Sequence, residues 1–549
     1  MSHVYDIAER YVEQFADLDP CGATGAGIPG HDRDLTDYSP AGTAARDDLA
    51  CATLRDLEQA PATDDHDRIA SAMMRERLTL QLAEADAGER LRDVRIIASP
   101  ISEVRQCFDL MPFETDEDWD VATERMTKLP AALESIEATL RAGVDHKTVA
   151  ARRQALACAE QAATWGGQRD DEPFFQVLAS QRPDDEALQR AAEVATAAYA
   201  RLGAYLRDEY APNADEHDAV GRERYALFAR AFTGMELDLD ETYAWGWDEL
   251  YRIEVAMQSA CERILPGASI AEVTEHLDQD DKRAIEGVED FRRWNQNLID
   301  QTISDVDSAH FDLAEPLKTC EAMIAPPGGA AAMYYTPPSL DFSRPGRTWY
   351  PTMGMTRFPL WKEVSTCYHE AVPGHHLQVA QTVYLADKLS EYQRTFGFVS
   401  GHGEGWALYA ERLMGELGYL EDPALELGML AAQAMRAVRV IVDIGMHLEL
   451  PIIAGEPHAG ERWTPELALP FVIERSRLPE FFMRSEVDRY LGWPGQAISY
   501  KVGERVWLEC RAETRARKGA DFDLKAWHTY ALDLGGMGLA QLRDELARF

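Results

Sequence analysis

The sequence predicts a mainly α protein, large and two-lobed, with a small β element next to the helix that carries the chemistry. Three observations lead there. Residues 1–230 are rich in Ala, Arg, Glu and Leu at helical spacing. Helical texture returns from about residue 359 to the C-terminus. Between them, one stretch rich in Pro, Gly and aromatics cannot be regular helix. At 549 residues the chain is too long for one ordinary core, and a hydrophobic content of 46 % is enough to bury a large one.

Taken in order, "MSHVYDIAERYVEQF" reads as an amphipathic helix, without the charged and apolar regions of a secretory signal. "RIASAMMRERLTLQLAEAD" and "DDEALQRAAEVATAAYARLGAYLRDEYAP" are amphipathic helices too, separated by loops such as "PCGATGAGIPGHDRD". Residues 1–230 thus form a helical scaffold or lid. Residues 231–549 form the catalytic half, the two interwoven into one large domain. "LDETYAWGWDELYRIEVAMQSACERIL" is a long helix of that half. The stretch "APPGGAAAMYYTPPSLDFSRPGRTWYPTMG" supplies the β element, around 324–355.

Bulk properties exclude some functions. The net charge of -40 repels nucleic acid and anionic lipid, so neither is expected as a partner. No stretch approaches the roughly 18 apolar residues needed to span a bilayer. The longest candidate, Val438 to Ile444, carries Arg439 and Asp443. The eight cysteines stand singly, without a C-x-x-C pair, and read as reduced thiols in a cytoplasm.

The chemistry begins at "HEAVPGHHLQ", His369 to Gln378. It opens like the H-E-x-x-H zinc helix, which puts two histidines four apart on one face. Position 373 is instead Pro373, followed by Gly374, His375 and His376. On a straight helix His376 lies about 20° from His369 but about 10.5 Å along the axis, and His375 about 120° away. Pro373 and Gly374 are expected to kink the helix, and a two-residue bulge brings His375 to the second ligand position. A catalytic zinc needs three protein ligands and one open position. "VSGHGEGWALYAERL" offers the third: Glu404, at the mouth of a helix after a Gly-rich turn, with Glu411 seven residues on as its support. Glu370 is the expected general base.

Other candidates follow. Arg439, Asp443 and His447 recur every four residues on one helix face. They read as a buried network or as substrate-binding groups, with His447 also a candidate oxyanion donor. Lys501 is a candidate for a substrate carboxylate, or a solvated lysine. In "AMYYTPPSLDFSRPGR", Tyr335 lies on an expected edge strand for a peptide backbone. Arg344 and Arg347 are candidate grips for a C-terminal carboxylate.

"YHEAVPGHHLQ", "GHGEGWALYAERL", "RAVRVIVDIGMH" and "RYLGWPGQAISYKVG" together resemble the signature blocks of the bacterial "domain of unknown function 885" family. They run in family order over residues 368 to 503. That family is usually grouped with gluzincin metallopeptidases. The resemblance implies a fold like thimet oligopeptidase, carboxypeptidase Taq and angiotensin-converting enzyme, in which two helical lobes flank a deep channel. It favours His375 over His376, because related motifs end in Gly-His. It also implies an oxyanion role for Tyr500, since related peptidases place a tyrosine late in the chain.

The combined expectation is a cytoplasmic metallopeptidase, a monomer or homodimer. One Zn2+ per chain is held by His369, His375 and Glu404, and short peptides are cleaved, with a preference for carboxypeptidase or dipeptidyl-carboxypeptidase action. The alternatives are a metal-dependent amidohydrolase acting on a small non-peptide amide, and a metal-free peptide-binding protein on the same fold.

Overall fold

The computed structural model describes residues 2–170, 172–325 and 333–549. It is 68 % helix and 5 % strand, so the fold is mainly α. The chain divides into two compact units, Met1–Leu227 with Asp488–Trp493, and Phe228–Val487 with Pro494–Phe549. The return of residues 488–493 to the first unit has no mark in the sequence. Five residues at the end of an ordinary helix, with Trp493 just beyond it, give no local signal of the switch.

The first unit is built on α1 (His3–Leu18), α2 (Pro40–Gln59), α3 (Asp65–Asp86), α4 (Asp116–His146), α5 (Arg152–Trp165) and α6 (Glu186–Tyr205). Side-chain caps fix several starts: Ser2, Ser39, Asp64 and Thr115 each accept from a backbone N–H of the first turn. The core lies where α6 packs on α4 and α5. Met126, Leu129, Leu133 and Leu140 of α4 meet the alanine faces of α5 and α6, including Ala155, Ala162, Ala195 and Ala198. One expected loop is part helix. Pro20–Gly25 forms a short helix because Asp19 caps it and Pro20 occupies its first turn.

The second unit contains α7 (Leu239–Ile264), α8 (Val288–Val306), α9 (Glu363–Glu370), α10 (His375–Tyr384), α11 (Ser400–Glu416), α12 (Pro423–Leu448) and α13 (Ser499–Lys518). Every residue of α12 from Gln433 to His447 is buried. A helix buried on all sides is a central one, and α7 lies along it. Among the described residues no helix is long and apolar enough to cross a membrane.

α11 and α13 pack at glycines. A Cβ on Gly405 would lie 2.5 Å from the backbone of Gly503, and one on Gly503 would lie 2.1 Å from the Gly401 carbonyl. Gly401 and Gly405 of "SGHGEG" are therefore the contact face of α11, inside the helix, where the sequence suggests a turn before it, while Gly403 lies against Phe398. Their helix-propensity cost is met by this close packing.

The β element is a three-stranded sheet in the order β2 (Cys320–Ile324), β4 (Gly346–Tyr350), β3 (Tyr334–Thr336). β2 runs parallel to β4 and β3 antiparallel to it, with Tyr335 opposite Thr348. A second ladder pairs β1 (Ala284–Glu286) with β5 (Arg357–Pro359). Part of the Pro-Gly-rich segment, residues 326–332, lies outside the described residues.

Candidate metal centre

α9 does not kink through the motif; it ends at Glu370, and a separate helix begins at His375. The four residues between form a turn containing a cis Val372–Pro373 bond. Pro373 has no N–H to continue the ladder. The His376 N–H closes the turn on the Ala371 carbonyl at 3.0 Å. A Cβ on Gly374 would lie 1.9 Å from the His369 carbonyl, so only glycine fits there. Trp406 of α11, fully buried, donates its indole N–H to the Pro373 carbonyl at 2.8 Å.

This break sorts the two histidines. His375 faces His369, their rings 4.9 Å apart and perpendicular. His376 is turned away and wholly buried. Its Nε2 lies 3.0 Å from the Leu317 carbonyl, which can only accept, so that nitrogen carries the proton. Its Nδ1 then accepts from the Tyr335 hydroxyl at 3.0 Å. Burial pushes His376 down to about 4, which keeps it neutral. Both ring nitrogens are committed, and His376 ties α10 to β3.

The ligand atoms of His369, His375 and Glu404 all lie within 4.8 Å of one another. Glu404 Oε2 is 3.4 Å from His369 Nε2 and 3.3 Å from His375 Nε2. A tetrahedral ion with ligands at 2.0–2.1 Å has ligand–ligand edges of roughly 3.3–3.4 Å. That same oxygen is buried without a hydrogen-bond partner. A desolvated carboxylate oxygen facing two imidazole nitrogens and bonded to neither fits a divalent cation.

Glu411, seven residues along α11, is fully buried. It accepts from His369 Nδ1 at 2.8 Å and from Ser365 Oγ at 2.5 Å. Burial acts to raise its pKa, but Arg436 and His369 hold it below the ordinary carboxylate value. A carboxylate on the far nitrogen of a ligating histidine fixes the tautomer that offers Nε2 to the ion. Burial opposes charge on His369, yet Glu404 and Glu411 raise its pKa to about 9. Burial raises Glu370, with partial relief from His369 and His375. The Tyr500 ring, on α13, stacks 6.4 Å from that of His369.

Several candidates lie elsewhere or in other roles. Lys501 is neither solvated nor open to a ligand. It is fully buried, with Nζ 2.7 Å from Glu249, 2.5 Å from Glu504 and bonded to Gln433. Successive residues on a helix point about 100° apart, so Tyr500 and Lys501 enter different clusters. Arg347 donates its Nε–H to Glu321 at 2.8 Å, with its side chain 31 % exposed. Arg344 is half-buried beside Tyr335 and Arg347; burial and Arg347 lower its pKa. Arg439 pairs with Glu486 at 2.7 Å and covers the Tyr500 ring, its Cζ 4.7 Å from the centroid. Asp443 accepts from the Gly495 N–H at 2.9 Å, and His447 lies 3.7 Å from Asp443. Asp443 and His447 have no exposed surface, so His447 offers no atom to an oxyanion. The stripe is a buried network. Two residues near the site escaped the sequence reading, Ser365 and Arg436. Arg436 was visible as a second arginine three residues before Arg439 in an otherwise apolar helix.

Fold and site together define a mainly helical protein with a buried two-histidine, one-glutamate cluster. The chain belongs to the family described as "Bacterial protein of unknown function (DUF885)", whose model matches residues 20–546. Two solved structures share the fold. One is a "putative lipoprotein" from Colwellia psychrerythraea, with TM-score 0.86 and 22 % identity over 100 % of this chain and 99 % of that one. The other, from Shewanella oneidensis and described in the same two words with "unknown function" added, has TM-score 0.72 and 18 % identity over 98 % of this chain and 99 % of that one. At such identities the likeness is one of fold. No curated protein matches the chain.

Proposed function

We propose that this protein is a zinc-dependent hydrolase that cleaves amide bonds in short peptides, a member of the gluzincin type in its chemistry. The observation that carries the reading is Glu404 Oε2, buried and unbonded, 3.3–3.4 Å from the Nε2 atoms of His369 and His375. These three residues would hold the ion and leave its fourth position to substrate or water. A bound divalent ion lowers the pKa of water and polarises a carbonyl.

The chain's own groups do the rest. Glu370 is buried beside both histidines, and burial favours its protonated form. It is suited to take a proton from the attacking water and return it to the leaving amine. Tyr500 is positioned by stacking on His369 to donate its phenolic O–H to the carbonyl oxygen as charge develops there. Glu411 holds His369 in its ligating orientation. A cytoplasmic location and a monomeric or homodimeric state remain part of this proposal; all eight cysteines are unpaired thiols, consistent with a reducing compartment.

The first test is elemental analysis of wild type beside His375→Ala and His376→Ala, with peptide-library turnover on each. About one zinc per chain, lost in His375→Ala and kept in His376→Ala, is the expected result. Wild type that neither contains nor takes up zinc, yet binds peptides, would identify a metal-free binding protein. Zinc with no peptide cleavage, but hydrolysis of one narrow amide, would identify a non-peptide amidohydrolase.

A further inference from the structure

Arg436 stands out among the buried cations near this site. It lies on α12, 9 % exposed, with its Cζ 5.9 Å from the centroid of the Tyr500 ring. Its charge acts on His369, Glu370 and Glu411. Its ion-pair contact, from Nη2 to Glu411 Oε1, is 3.8 Å long and outside hydrogen-bond range. Both Glu411 oxygens are already taken, by His369 and Ser365. The Arg436 Nε is buried with no hydrogen-bond partner. Arg439, three residues on, is held by Glu486, and Arg347 by Glu321. A guanidinium carries five N–H donors, and leaving a buried one such as Nε unmade is costly. An anion arriving with the ligand removes that cost.

We propose that Arg436 receives the free carboxylate of the substrate. The site would then take peptides or acyl-amino acids whose α-carboxylate lies next to the scissile amide. The inference rests on the hydrolase reading and narrows its substrate class. A planar guanidinium matches a carboxylate through two parallel hydrogen bonds. The neighbouring phenol of Tyr500 is a single neutral donor, suited to the carbonyl oxygen. The carboxylate grip assigned from the sequence to Arg344 and Arg347 thus moves to the helix beside the metal ligands.

The test is binding, read by calorimetry on zinc-loaded protein. The probes are N-acetyl-amino acids with apolar, acidic and basic side chains, each compared with its carboxamide. Wild type should bind the best acid about ten-fold or more tighter than its amide, a difference of about 1.4 kcal/mol. R436Q should bring the pair within about two-fold, with zinc content unchanged. Equal binding of acid and amide by wild type overturns the proposal, as does a preference that survives in R436Q. So does R436Q slowing hydrolysis of free-acid and amidated peptides alike with acid binding intact, which would place the guanidinium on the carbonyl oxygen. If R436Q does not fold, R436K decides, because it keeps the charge and loses the fork. A several-fold smaller preference in R436K supports the proposal and an unchanged one overturns it. Absence of zinc from wild type counts against the hydrolase reading alone. The acid-over-amide preference is then read on the metal-free chain, with the same outcomes deciding.

Discussion

Two buried polar clusters of the second unit are built partly from the same helices, and they are finished differently. Around Lys501 every strong group is matched. Its ammonium meets Glu249, Glu504 and Gln433, while Arg252 takes Glu249 and Arg412 takes Glu504. Around His369 the matching stops short. Glu411 is satisfied by His369 and Ser365, but Glu404 Oε2 and the Arg436 Nε are buried with nothing bonded to them. Saturation is what a structural ion-pair network needs to offset desolvation. Incompleteness in an equally buried place is the observation on which the proposed metal and substrate sites rest. The difference is one of hydrogen bonds left unmade, since both clusters are rich in carboxylates.

The comparison can be broken from either side, and the largest effect is expected at the saturated cluster. Lys501→Met leaves Glu249 and Glu504 buried without their shared cation and should cost about 3–5 kcal/mol. Urea unfolding measures the loss; a change below about 1 kcal/mol would show that the cluster is not structural. At the incomplete cluster, Glu370→Gln should keep zinc and lower turnover by about 10²–10⁴-fold. Activity near wild type would remove Glu370 as the base. Tyr500→Phe should leave metal content alone and reduce kcat by about 10²–10³-fold, which steady-state kinetics on one peptide will read. Glu411→Gln touches no ion directly. It should weaken zinc binding by about 10–100-fold in a competition titration against a chelator, and a larger loss than that of Glu404→Ala would exchange the roles of the two glutamates.

The smallest effect is in acid. Burial acts to raise the Glu249 pKa, but Arg252 and Lys501 hold it at about 2, below the ordinary 4.5. A carboxylate depressed in the folded state stabilises above its unfolded pKa, and that contribution fades as pH falls through the folded one. Urea midpoints should therefore decline between about pH 4.5 and 2, and Lys501→Met should flatten the decline. A midpoint independent of pH over that window would contradict the pairing.

The mainly α class was legible because periodicity and caps are local. A stripe of apolar residues at helical spacing and a Ser, Thr or Asp before it suffice to mark a helix such as Asp116–His146. The glutamate pair, Glu404 and Glu411, was legible as well, because seven residues are close to two helical turns. The break at Pro373–Gly374 was half legible. Proline announces that the helix cannot continue, but whether it kinks or ends depends on what satisfies the freed carbonyl, and that donor is the indole N–H of Trp406, 33 residues away.

The sequence by itself determined which residue types were at hand: a His-Glu helix, a proline-interrupted second histidine and a glutamate on a later helix. Only the tertiary structure decided their employment. His376 is bound at both nitrogens by Tyr335 and Leu317, 41 and 59 residues away, while His375 is turned toward His369 and Glu404. Lys501, a candidate from the sequence, proves to be fully paired, and Arg436, which the sequence did not single out, has its Nε unpaired, for the same reason. Burial makes a charge costly unless it is answered, and which partner answers it is a matter of packing between helices that the local pattern does not encode.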